Sequence, residues 1–231
     1  LGANTKGFKR RAIKNTMVNN TKQIREFLEA NLNEECFNNE FYKFDIMIRK
    51  KDNPESIFMK HHKGSFLLRS WLISSLEQYD KYIEEMKYLC DITGARLYMT
   101  LDRKSTQSMA INLADYGSDL LKSLIRKNTI STKNIFNVMN SLTSKKELSV
   151  HQSKKLLFDI DTQDIDKVSN VLQSLYPEEV GHLYVLNSPN GWHVITDKFN
   201  QDLIPKQILE DEEIDVKENA LTIVYFNKEG S

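Results

Sequence analysis

The chain has 231 residues, 40% hydrophobic and 28% charged, with 8 Gly and 4 Pro, which suits one large domain or two small, closely packed ones with a sizeable core. Lys plus Arg and Asp plus Glu both total 32, so a uniformly basic coat is excluded while local asymmetry is not. Two cysteines, Cys36 and Cys90, cannot build a disulfide framework or a four-ligand zinc site, and no apolar run approaches the ~20 residues of a membrane span, so a soluble cytoplasmic protein with no membrane partner is expected.

Residues 1–40 read as a basic arm leading into a helix, since Lys6, Lys9, Arg10, Arg11 and Lys14 precede the first acid, Glu26. Residues 41–145 read as an α/β unit. Tyr42, Phe44, Ile46 and Ile48 alternate as a half-buried strand, and Lys63-Gly64 turns the chain. A helical stripe then runs Leu68, Leu72, Leu76, Tyr79, Ile83, Met86, Cys90, with Gly94 as its C-cap. Leu97, Met99 and Leu101 alternate as a strand, Met109, Leu113, Tyr116, Leu120 and Leu124 return to helical spacing, and a shorter helix is expected over 132–142. A second basic stretch from Lys122 through Arg126 and Lys127 to Lys155 contrasts with the acidic run Glu210–Glu218.

Residues 146–231 carry a strand over 155–161, a helix with Val168, Val171, Leu172 and Leu175 on one face, and strands over 182–188 and 192–197 around Pro189-Asn190-Gly191. A helix after Pro205 and a strand over Leu221–Phe226 complete the order βαββαβ, the plan of the RNA-recognition motif. The expected class is therefore α/β in the broad sense, or α+β: an N-terminal α/β unit followed by an RNA-recognition-motif-like unit.

Chemistry concentrates in Phe158-Asp159-Ile160-Asp161. With a period of two, Asp159 and Asp161 share one face of the strand, where two carboxylates repel unless a cation lies between them. Oxygen ligands suit Mg²⁺ or Mn²⁺, which can bridge protein carboxylates and a nucleoside triphosphate. The competing role for Asp161 and Asp164 is capping of the following helix. Asn187-Ser188-Pro189-Asn190-Gly191-Trp192-His193 is a tight turn that presents a hydroxyl, backbone amides and an imidazole, with Gly191 letting the backbone approach a ligand.

Taken in order, Leu156-Leu157-Phe158-Asp159-Ile160-Asp161, Ser188-Pro189-Asn190-Gly191-Trp192-His193 and Ile214-Asp215 resemble the three motifs of the archaeo-eukaryotic primase superfamily, which includes phage and plasmid primase-polymerases. The resemblance spans roughly residues 95–231. It implies a primase-like nucleotidyltransferase of DNA replication that polymerises nucleoside triphosphates with two divalent metals. Asp159, Asp161 and Asp215 would be the catalytic metal ligands, and Ser188, Asn190, Gly191 and His193 would bind the nucleotide. Lys9, Arg10, Arg11, Arg126 and Lys127 would hold a single-stranded template, with a helicase as the kind of protein partner it admits.

The alternatives are a metal-dependent nuclease, for which only 70 residues follow Asp161, and a non-catalytic or diverged nucleic-acid-binding protein. A phosphatase of the haloacid-dehalogenase type is disfavoured by Gln163, and an RNA-recognition motif proper by the carboxylates on its first strand.

Overall fold

Hydrophobic alternation organises the N-terminal half as antiparallel hairpins. A computed structural model of the chain describes residues 17–32, 39–127, 141–150, 154–175 and 183–228. Strands β2 (Glu40–Arg49) and β3 (Ser65–Ile73) pair from Tyr42 opposite Ile73 to Arg49 opposite Ser65. The helical stripe was expected to begin at Leu68, but the structure keeps residues 65–73 extended. Trp71 and Ile73 are buried with Leu72 exposed between them, and the backbone bonds to β2 outweigh a helical periodicity that Leu68 and Leu72 only extend by chance.

The helix α2 (Leu76–Thr93) starts where a reciprocal cap allows it. The Ser75 hydroxyl accepts the Gln78 N–H at 3.2 Å, and the Gln78 side-chain oxygen accepts the Ser74 N–H at 3.0 Å. Tyr79, Ile83, Met86 and Cys90 form its buried stripe. Gly94 closes it with φ 61°, a left-handed conformation that glycine adopts without a Cβ penalty. Burial pushes the Cys90 thiol up to about 12, as befits an unreactive core cysteine.

Strand β1 (Met17–Asn19) and helix α1 (Thr21–Asn31) precede this hairpin; β4 (Arg96–Thr100), the short β5 (Lys104–Ser105) and helix α3 (Thr106–Lys127) follow it. Next come β6 (Lys155–Ile160), α4 (Ile165–Ser174), β7 (Leu183–Asn187), β8 (Trp192–Asp197), α5 (Lys206–Leu209), β9 (Ile214–Glu218) and β10 (Leu221–Asn227). Among the described residues there are two sheets, and the class is α+β. One has the order β1-β10-β4-β2-β3 with β5 added to β2; the other is β7-β8-β6-β9, antiparallel throughout. The helix expected over 132–142 falls largely outside the described residues, as does the arm with Lys9, Arg10 and Arg11.

The strand over Leu221–Phe226 was expected to close the second sheet. Instead β9 does so, and β10 inserts between β1 and β4 of the first. Burial explains the exchange. Residues Thr222 through Phe226 are all buried and need neighbours on both faces, whereas β9 exposes Asp215 and Glu218, which an edge strand tolerates.

Two of the apolar cores flank the second sheet. Leu156, Phe158 and Ile160 pack with Val168, Val171 and Ile208 on the helical side of the second sheet. On its other side, Leu157, Leu186 and Ile195 join Ile24, Phe27, Phe44 and Leu97 in the larger core. Polar groups fasten the seam. The Asn20 side chain, fully buried, donates to the carbonyls of Asn187 at 2.8 Å and Ile223 at 2.9 Å and accepts the Asn187 N–H at 3.1 Å. Replacing Asn20 with Ala should therefore lower the unfolding free energy by about 2 kcal/mol, the scale of a buried hydrogen-bonding group left unpaired, as read by urea denaturation. A change below about 0.5 kcal/mol would show that water replaces Asn20 without loss.

Candidate functional site

The larger-core face of β6 runs from buried Lys155 through buried Leu157 to Asp159. There the sheets part around a cavity of about 290 Å³. Asp159, Asp161, Ser188, Asn190, His193 and Lys217 line it from the second sheet; Arg49, Lys51, Arg96 and Tyr98 line it from the first. Sheet register explains the grouping, because Asp159 sits opposite His193 on β8 and opposite Asp215 on β9.

Asp159 is held on both oxygens. Its Oδ1 lies 3.3 Å from His193 Nε2, and its Oδ2 accepts from Lys217 Nζ at 2.7 Å. The Lys217 ammonium also reaches Asp215 at 3.0 Å, so one cationic nitrogen bridges the two carboxylates. Burial by itself would raise the Asp159 carboxyl, yet the hydrogen bonds from His193 and Lys217, reinforced by their charges, hold it down at about 2. Lys217 moves the other way: desolvation would lower it, and its bonds to Asp159 and Asp215 raise it above the usual range. His193 is itself buried and places Nδ1 2.9 Å from the Thr222 hydroxyl on β10, which ties this carboxylate to the first sheet.

The opposite wall is cationic. Arg96 forms a two-pronged pair with Asp52 at 2.7 Å on each arm and lies over the Phe226 ring, 4.5 Å from its centroid. Arg49 donates to the Tyr98 hydroxyl at 3.2 Å. Desolvation, followed by the like charges of Arg49 and Arg96, lowers the Lys51 ammonium, with Asp52 and Asp161 opposing them. Asp161, exposed at the end of β6, thus acts on Lys51 electrostatically.

Several expectations change in detail. Asp161 does not cap α4; Asp164 does, accepting the Asp166 N–H at 3.0 Å. Gly191 packs closely on its own chain: a Cβ there would stand 2.0 Å from the Ile160 carbonyl oxygen and 2.5 Å from that of Thr162. The glycine lets the turn lie flat on the end of β6. The Ser188 hydroxyl accepts the Gly191 N–H at 3.0 Å, leaving its own O–H to donate. Both ring nitrogens of His193 have partners, so its first service is to orient Asp159.

Asp215 does not line the cavity and meets it only through Lys217. Arg126, exposed in the last turn of α3, is not among the lining residues, and the side chain of Lys127 lies outside the described ones. Sequence reading missed Arg49, Lys51, Arg96, Tyr98 and Lys217. The signal for Lys217 was its spacing of two from Asp215; the others carry none, since Arg49 and Lys51 look like the solvated end of a hairpin.

Among the described residues no group of three or more His, Cys, Asp and Glu side chains is placed to hold a metal ion. Mg²⁺ in phosphoryl transfer needs only one or two carboxylates, with phosphate and water completing its shell. Asp159 and Asp215 already share the Lys217 ammonium, so a divalent cation held by these carboxylates would compete with Lys217. No family model, curated protein or solved structure matches the chain. No helix among the described residues is long and apolar enough to cross a membrane.

The depressed Asp159 carboxyl has a pH signature. An Asp with a folded value of about 2 and an unfolded value of about 3.9 adds stability above pH 4 that disappears as the pH falls toward 2. Wild type should consequently lose more unfolding free energy between pH 5 and pH 2 than Asp159→Asn does, measured by urea denaturation at each pH. Equal losses would mean that His193 and Lys217 do not stabilise the carboxylate.

Proposed function

We propose that the cavity binds a nucleoside triphosphate with a divalent cation and that the chain is a primase-like nucleotidyltransferase acting on a nucleic-acid template. The observation that carries this reading is the pairing of unlike walls, Asp159 and Asp161 on one side and Arg49, Lys51 and Arg96 on the other. Opposed carboxylates and cations suit a polyphosphate with its metal better than they suit an apolar or purely anionic ligand. The ordered motifs at Asp159-Ile160-Asp161, Ser188–His193 and Ile214-Asp215 support it independently, as does the 4-1-3-2 strand order of the second sheet, β9-β6-β8-β7.

In the reaction, the 3′ oxygen of a growing strand forms a bond to the α-phosphorus, the bond to the β-phosphate oxygen breaks, and pyrophosphate leaves. Mg²⁺ or Mn²⁺ held by Asp159 with Asp215 or Asp161 would supply charge neutralisation at the phosphates. The chain's own groups do the positioning. Lys51 and Arg49 attract the phosphates, the Ser188 O–H donates to them, and His193, braced by Thr222, fixes the orientation of Asp159. Arg96 keeps its wall in place through Asp52.

One observation favours a second reading, a nucleotide-binding protein without catalysis. Lys217 already offsets one of the two charges of Asp159 and Asp215, which lessens the need for metal.

Calorimetry with Mn²⁺ and a nucleoside triphosphate tests both. Wild type should bind the pair together, Asp159→Asn should lose the metal-dependent part, and Lys51→Ala should weaken the triphosphate by roughly 1.5 to 3 kcal/mol, the scale of a hydrogen bond to a charged group. Triphosphate binding that ignores Mn²⁺ would support the second reading. No binding of triphosphate with or without metal would defeat both.

A further inference from the structure

Strand β9 is an open edge of the second sheet. It pairs with β6 along one side, and among the described residues no strand pairs with the other. One bond fixes which backbone groups face outward. The Asp161 N–H donates to the Glu213 carbonyl at 2.8 Å, and these two residues stand directly opposite, one step beyond Ile160 and Ile214 in the β6–β9 register. Pairs that exchange bonds alternate along an antiparallel ladder, so Asp215 and Lys217 also turn their backbone groups toward β6. Ile214, Val216 and Glu218 turn theirs away from the sheet. The Ile214 N–H is taken up by the Asp211 carbonyl at 3.0 Å, which leaves the Ile214 carbonyl and the groups of Val216 and Glu218 along the edge.

The side chains of β9 are arranged about Val216. Asp215 and Lys217, with side chains 68% and 40% exposed, carry opposite charges on either side of it. A second β9 laid antiparallel along this edge and centred on Val216 sets Val216 opposite Val216, Asp215 opposite Lys217 and Ile214 opposite Glu218. The outward-facing residues are the same on both strands. Val216 therefore exchanges its N–H and carbonyl with its copy, the Glu218 N–H reaches the Ile214 carbonyl, and two cross-strand ion pairs form about the axis. Moving the axis one residue either way would set Asp215 against Asp215 or Lys217 against Lys217. Charges on an edge strand ordinarily guard it against pairing, but these are complementary under a two-fold rotation. On the helical face, the second copy's Glu218 comes beside Ile214, where Lys167, Asn170 and Gln207 line a cavity of about 410 Å³.

We propose that β9 pairs with the β9 of a second copy of this chain, joining the two second sheets into one continuous sheet about a two-fold axis at Val216. The pairing reaches the cavity at Asp159, since each Lys217 holds Asp159 of its own copy at 2.7 Å while facing Asp215 of the other. A peptide of another protein could use the exposed backbone, but a second copy matches both charges by symmetry. The dimer is independent of the nucleotidyltransferase reading, because it draws on a strand edge and not on a ligand. A strand of 5 residues buries little surface, so the dimer is weak and depends on concentration.

The test is sedimentation velocity at low salt over protein concentrations from about 1 to 300 µM. Wild type should rise from the mass of one chain toward that of two, and less steeply as salt increases. Asp215→Lys and Lys217→Asp, each alone, set like charges opposite one another and should raise the dissociation constant about tenfold or more. An equal mixture of these two variants should dimerise again, because every lysine then faces an aspartate. Val216→Pro removes the outward N–H at the axis without touching a bond to β6 and should abolish the dimer.

Circular dichroism with thermal melting identifies the variants that keep their fold. Hydrogen exchange needs no variant: in wild type, the Val216 and Glu218 amides should exchange more slowly as protein concentration rises. A monomer at every concentration would leave the charges as guards of an open edge and overturn the proposal. So would a dimer that the folded variants all keep, a mixture that stays monomeric although both components are folded, or exchange at Val216 and Glu218 that ignores concentration.

Discussion

The structure depends on β6 being buried on both faces. A central strand so placed must satisfy two cores at once, and β6 does so residue by residue: Leu156, Phe158 and Ile160 toward α4 and α5, Leu157 toward the first sheet. The next residue in the second series is Asp159. A carboxylate appears in that series where the sheets diverge, so the cavity and its charge arise from one geometrical fact. Were Asp159 one position earlier, it would enter the helical core with no partner in reach.

Two sheets can share a core only if the backbone groups at their junction are satisfied. Asn20 does this at one place by bonding both the N–H and the carbonyl of Asn187 while also accepting β10 as a neighbour. Asp102 does it at another by accepting the Lys155 N–H at 3.1 Å, and the side chains of His193 and Thr222 meet across the same junction. These contacts bind elements up to 203 residues apart in sequence. They also set the cavity, because His193 belongs both to the seam and to Asp159. A distortion of the interface is therefore transmitted to the Asp159 carboxylate.

Charge follows the same logic. The chain is neutral overall, yet the cavity has an anionic wall and a cationic wall that come from different sheets. Lys217 resolves the repulsion that two neighbouring carboxylates would otherwise create, and in doing so it occupies the place of a cation. Like charges on the other wall are less fully resolved: Arg96 has Asp52, while Lys51 is lowered by desolvation first and then by its cationic neighbours. On the proposed reading, a polyanion entering the cavity would relieve that wall.

Much of this was legible in the residues. Alternation and turn residues marked β2, β4, β6, β7 and β8, the stripe Tyr79–Cys90 marked α2, and Gly94 marked its end, because each depends on neighbours within a few positions. The shared face of Asp159 and Asp161 followed from the pleat of a strand and needed no knowledge of its partners. Sequence reading failed where pairing decides. Leu68 and Leu72 fit a helix until β2 offered a strand, and Leu221–Phe226 fit either sheet until burial on both faces required a central position. Lys51 and Arg96 carried no sign of the cavity, since the walls they form exist only once β2 and β4 face β6 and β8. Local periodicity is written in adjacent side chains, but opposition across a cavity joins residues far apart in the chain, such as Lys51 with Asp159 and Arg96 with Lys217, and only the packing of one sheet on the other brings them together.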